Sequence, residues 1–127
     1  MRHTLKIAVV LGLFLLLSLL ATACGGAAAT GPNPVHMDDQ NFKQSSITIK
    51  KGQVVTLIND AIVNHVIENG TWDANGNQRP GTEVGAPKVD YNVTANGSQT
   101  IGPFNTAGTF KLYCTVHTGM NLTVIVQ

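Results

Sequence analysis

Thr109-Phe110-Lys111-Leu112-Tyr113-Cys114-Thr115-Val116-His117-Thr118-Gly119-Met120 changes character half way along. Up to Cys114 it alternates, with Phe110, Leu112 and Cys114 on one face and Thr109, Lys111 and Tyr113 on the other, the pattern of a half-buried strand. From Cys114 onward the alternation stops, and a thiol, an imidazole and a thioether recur every third residue at Cys114, His117 and Met120. Alternation then resumes, with Leu122, Val124 and Val126 set against Thr123, Ile125 and Gln127. Residues 115–121 are therefore read as a loop between two neighbouring core strands. Because it is pinned at both ends, such a loop can wrap three donors around one ion.

Working outward, the same period of two recurs from Val35 to the end of the chain. Ile47 and Ile49 alternate with Ser46, Thr48 and Lys50 before Lys51-Gly52 breaks the run. Val54 to Ile58 is nearly all apolar, which predicts a strand buried on both faces, ended by Asn59-Asp60. In a strand over Ile62 to Ile67, parity puts Val63, His65 and Ile67 on one face. Residues 68–90, rich in Gly and Pro, read as a long irregular connection with room for a helical turn. Trp72 within it is either a core plug or a surface contact. Tyr91 to Thr94 and Ser98 to Ile101 flank Asn96-Gly97, a strong hairpin signal, and Pro103 and Gly108 frame another turn. Short alternating runs between turn residues predict an all-β fold, a sandwich of antiparallel strands over residues 35–127.

The chain has 127 residues, room for one ordinary domain, and only 12% of them are charged. Its formal charge of +1 includes Arg2 and Lys6; without residues 1–23, six Lys and Arg face seven Asp and Glu, a net of −1. A nucleic-acid partner would need a basic patch, which this balance does not offer. Residues 1–23 have the layout of a signal peptide: Arg2 and Lys6, an apolar run from Ile7 to Leu20, then Ala21-Thr22-Ala23. With Cys24 next, the segment resembles the lipobox of bacterial lipoproteins, although Ala21 stands where Leu is usual. That resemblance implies lipidation of Cys24 and anchoring at the outer face of the cytoplasmic membrane. Secretion after cleavage at Ala-Thr-Ala is the alternative. Residues 24–34, Gly-, Ala- and Pro-rich, read as a tether reaching roughly 35 Å when extended. A lipidated Cys24 leaves Cys114 a lone thiol in an oxidising compartment, which metal ligation would explain; a Cys24–Cys114 disulfide is the competing account. Four Asn-x-Ser/Thr matches, at Asn69, Asn92, Asn96 and Asn121, are read as chance rather than glycosylation.

A further ligand has to come from elsewhere, and His65, inward-facing near a strand end, is the candidate; His3 leaves with the signal peptide and His36 lies at the tether junction. Taken alone, His65 is better explained as a core histidine satisfied by a backbone partner. Zinc accepts Cys and His but is rarely ligated by Met, whereas a thioether beside one thiolate and two imidazoles points to copper. Haem attachment would require Cys-x-x-Cys-His, and thiol catalysis fits poorly with a Cys–His pair confined to one short loop.

On these residues, Ile62-Val63-Asn64-His65 and the segment from Ala107 to Met120, the domain resembles cupredoxins of the plastocyanin, pseudoazurin and amicyanin group, over about Met37 to Gln127. The Cys-x2-His-x2-Met spacing is the short loop of amicyanin. The resemblance implies a Greek-key β-sandwich with one copper ion at one end, held by His65, Cys114, His117 and Met120. It also implies one-electron transfer rather than enzymatic turnover, by a monomer whose redox protein partners dock transiently near His117. A copper carrier delivering metal to an extracytoplasmic oxidase is the rival function, and a metal-free adhesion sandwich leaves the ligand spacing unexplained. The chain departs from many members in having Val66 after the upstream histidine, where Asn is usual, and Val116 before the loop histidine, where Pro is usual.

Overall fold

The computed structural model describes residues 31–127, which form nine strands and no helix. In chain order these are β1 (Pro34–Met37), β2 (Ser46–Ile49), β3 (Val55–Asn59), β4 (His65–Trp72), β5 (Gln78–Pro80), β6 (Asp90–Val93), β7 (Ser98–Ile101), β8 (Gly108–Cys114) and β9 (Asn121–Val126). They make two sheets, β1-β3-β7 and β2-β9-β8-β4-β5, with β6 pairing along β4. The stretch read as a signal peptide, residues 1–23, and Cys24 lie outside the described residues. Chain packing starts inside the stretch read as tether: the Asn33 amide donates to the Val54 carbonyl (2.8 Å) and the Thr56 hydroxyl to the Pro32 carbonyl (2.9 Å).

The all-β sandwich is as expected, but two of its strand pairs are parallel rather than antiparallel, β1 with β3 and β2 with β9. Alternation says which face a residue occupies, not which strand lies beside it. The hairpin expected at Asn96-Gly97 is also absent: β6 joins β4, whereas β7 joins β3 in the other sheet. A tight type I′ turn needs positive φ at both central residues. Here Asn96 has it, at 54°, and Gly97 does not. The Asn96 N–H instead donates to the Ala61 carbonyl and the Asn59 N–H to the Gly97 carbonyl, so the turn carries the chain from one sheet to the other.

The strand expected over Ile62 to Ile67 starts later, at His65, and runs on to Trp72. Asn59 is the cause. Its side chain is buried, donates to the carbonyls of Val63 (2.7 Å), Thr94 (3.0 Å) and Val93 (3.2 Å), and accepts from the Ala61 N–H (3.0 Å). This knot gathers residues 60–64 into a bend and turns Ile62 outward, 83% exposed. The connection read over residues 68–90 thus contains the second half of β4 and all of β5, joined by a turn at residues 73–77.

Between the sheets lies a core of Val35, Met37, Leu57, Ile67, Val93, Ile101, Phe104, Phe110, Leu112, Leu122 and Val124. The alternation of β8 and β9 is realised as read: Phe110, Leu112 and Cys114 are buried, as are Leu122, Val124 and Val126. Tyr113, on the opposite face of β8, is buried as well, under the edge of Trp72.

Candidate metal centre

Cys114 is the last residue of β8, fully buried, and makes no disulfide among the described residues. The loop after it closes on itself: the Cys114 N–H donates to the Met120 carbonyl (3.0 Å), and the Met120 N–H to the His117 carbonyl (3.2 Å). So tight a return needs one left-handed residue. Gly119 provides it at φ +79°, a conformation that costs a residue with a Cβ about 1 kcal/mol or more. His117 is half-buried at the mouth of this loop, and Met120 is buried in the same cluster as Cys114.

His65 opens β4 and is fully buried. Its Nε2 lies 2.9 Å from the Asp38 carbonyl oxygen, which can only accept, so Nε2 carries the proton and Nδ1 presents a lone pair. That Nδ1 is 3.7 Å from Cys114 Sγ, and His117 Nδ1 is 3.4 Å from the same sulfur. The two imidazole centroids are 4.7 Å apart. Burial first, then the neighbouring His117, lower the pKa of His65, against the opposing pull of the Asp38 carbonyl, and this favours the neutral ring that a metal requires.

Asp38 is itself held. Its carboxylate accepts the N–H groups of Gln40 (3.0 Å) and Asn41 (2.8 Å), which pull its pKa down. The Lys43 N–H returns to the His36 carbonyl. Across from this loop, Asp60 binds both Lys43 (2.6 Å) and His36 (2.9 Å), whose bonds keep its carboxyl below the usual range. The carbonyl that orients His65 therefore belongs to a doubly fastened loop.

The ligand atoms of His65, Cys114 and His117 all lie within 4.8 Å of one another. Two donors each about 2 Å from one ion stand 3.4–3.7 Å apart when they subtend a roughly trigonal angle, and the two Sγ–Nδ1 separations are of that size. One soft sulfur and two imidazole nitrogens, with the buried Met120 on the same short loop, fit copper in both oxidation states. His65, Cys114 and His117 thus converge at one end of the sandwich, and Met120 closes the loop back onto Cys114 through its backbone carbonyl. A cleft of about 280 Å³ lined by Gln40, Asn41, Val116, His117 and Thr118 opens beside them.

Other contributors gave no sequence signal. Asp38 acts through its backbone, which any residue has. Val66 stands where many members have Asn, yet its carbonyl accepts the Thr115 N–H (2.9 Å), so backbone joins the two ligand-bearing segments. Asn64 turns away, accepting the Ala95 N–H. Trp72, left between two readings, is neither: its indole N–H donates to the Cys114 carbonyl (2.8 Å). Asn121, noticed only as part of a glycosylation pattern, brackets the Trp72 backbone with two hydrogen bonds (2.7 and 3.0 Å).

A family model described as copper binding proteins, plastocyanin/azurin family, matches residues 30–127. A plastocyanin of Scenedesmus fuscus is 34% identical over 88 residues, covering 68% of this chain and 86% of its own. Among solved structures, the novel purple cupredoxin from Nitrosopumilus maritimus superposes with a TM-score of 0.57 at 19% identity, over 75% of this chain and 99% of that one. Amicyanin from Paracoccus versutus gives 0.56 at 23% identity, over 75% and 80%. These two share the fold; the family match spans the described domain and includes every donor in the cluster. The chain belongs to the plastocyanin/azurin family of copper-binding proteins, and copper is its cofactor.

Proposed function

We propose that this protein is a blue copper electron carrier, not an enzyme, working outside the cytoplasm at a membrane surface, with copper bound by His65, Cys114, His117 and Met120. One observation carries the reading: two imidazole nitrogens and the Cys114 sulfur, brought together from the start of β4, the end of β8 and the loop after it, lie within 4.8 Å of one another, with His65 and Cys114 buried and His117 half-buried. Bound there, copper supplies a one-electron couple. The chain's own residues do the rest. Burial of Cys114, His65 and Met120 keeps water and small molecules off the donors. Hydrogen bonds from three directions, at the Cys114 N–H, the Met120 N–H and His65 Nε2, hold the donors in one arrangement, so little has to move when charge changes.

His117 is the exit toward a partner. Val116, exposed, and Thr118 and Gly119 around it form a small uncharged surface suited to a weak and brief encounter between monomers of different redox proteins. Lipidation at Cys24, after removal of residues 1–23, and the 24–34 segment would keep that surface close to membrane-bound partners. Electron carriage is favoured over copper delivery by the closed pocket, from which release would be slow.

Loading the domain with Cu(II) and cycling it with mild reductants tests the reading. An intense visible band that bleaches and returns over many cycles without metal loss is expected. Binding of Cu(I) alone, with no coloured oxidised form and ready transfer to a chelating acceptor, would replace the carrier of electrons by a carrier of copper.

A further inference from the structure

The β4–β5 hairpin is the part of the fold that the copper pocket does not obviously need. We propose that it is a positioning element for the centre, acting through Trp72 and Gln78, and that it raises the reduction potential; this rests on the ligand reading given above. Trp72 and Gln78 are cross-strand partners, the pair nearest the turn. Each sends one donor to the ligand loop, and the two acceptors are successive: the Trp72 indole N–H reaches the Cys114 carbonyl (2.8 Å) and the Gln78 amide the Thr115 carbonyl (2.9 Å).

A hairpin paired over three residues is marginal by itself. This one is stiffened around its turn. At its tip the Asp73 carboxylate accepts the N–H groups of Asn75 and Asn77 (both 2.9 Å) and binds Arg79 (2.9 Å). At the pair beside the turn Asn121 grips the Trp72 backbone from β9, and the Trp72 ring stands edge-on to Tyr113 at 6.1 Å. A rigid arm thus ends in two donors aimed at the peptide groups on either side of the point where strand becomes ligand loop.

Two effects follow. Fixing the Cys114 peptide fixes the direction of its Cα–Cβ bond, and so where Sγ sits. The indole N–H also turns the positive end of its dipole toward Cys114, and positive potential there favours the state with the additional electron.

The test compares wild type with Trp72→Phe, which keeps an aromatic ring and removes the N–H, and with Gln78→Met at an exposed position where folding is secure. In Trp72→Phe the ratio of Cu(I) to Cu(II) affinity should fall roughly threefold, a downward shift of about 28 mV at about 59 mV per tenfold. The thiolate band should move in wavelength, and Gln78→Met should shift the potential the same way by less. In the copper-free protein the indole N–H of Trp72, the only tryptophan, should exchange with solvent more slowly than free indole. Potentials unchanged or raised in both variants, or an indole N–H exchanging at the free rate, overturn the proposal. A wild-type protein with no thiolate band would instead remove the ligand reading, and the indole exchange would still judge the brace.

Discussion

Strand parity places His65 inward, and the structure keeps it buried while starting its strand at His65 rather than at Ile62. The residue that decides the matter is Asn59, whose capture of three carbonyls and one N–H bends residues 60–64 and leaves His65 to start β4. In sequence Asn59 looks like an ordinary turn residue, because its partners lie as far as 35 positions away. Asn59→Leu should lower unfolding stability by roughly 2–3 kcal/mol, since buried backbone groups lose their partner, with the loss read from the urea midpoint. Cys114, His117 and Met120 were legible because one loop holds them at a fixed spacing; the orienting carbonyl of Asp38 was not, because backbone atoms carry no residue signature. At Met120 the expectation concerns tuning. Met120→Gln should keep the colour but lower the potential by about 59 mV or more, a tenfold shift in relative affinity, because a harder oxygen donor favours the oxidised ion. Voltammetry of the two proteins decides it.

Among the elements, β8 and β9 were readable to within one residue at their ends, since both alternate and have one face in the core. β4 was cut short in the reading because Asn69 and Gly70 interrupt its apolar pattern. Both have structural reasons. Asn69 is buried and accepts the Val89 N–H (2.7 Å), tying down the following connection. Gly70 has φ +133°, and a Cβ there would sit 2.5 Å from the Arg79 carbonyl oxygen, so the approach of β5 demands glycine. The hairpin also brings an acid-sensitive group. Asp73 has its pKa pulled from 3.8 to about 2, chiefly by the Asn77 N–H, with the Arg79 and Asn75 bonds also contributing. Because the folded value is the lower one, its stabilisation is complete above about pH 4 and is lost as pH falls toward 2. Wild type should therefore lose more stability than Asp73→Asn across that window, in urea titrations of the copper-free protein; parallel curves would contradict this.

For the molecule as a whole, period-two alternation announced the sandwich and the loop announced its metal, but strand partners were hidden. The parallel pairs β1–β3 and β2–β9 join segments far apart in sequence, and no local turn records them. Anchoring is a claim about the whole chain as well. In the full-length protein, Cys24→Ala should move the domain from the membrane fraction to the medium with its copper site intact, as fractionation would show. The central claim, that Cys114 closes a copper centre with His65, His117 and Met120, is tested most directly by adding Cu(II) to wild type and to Cys114→Ser and recording visible spectra. The account predicts an intense thiolate-to-copper band in wild type, bleached by reductant and restored by oxidation, and no such band in the variant. The same colour surviving in Cys114→Ser would contradict it.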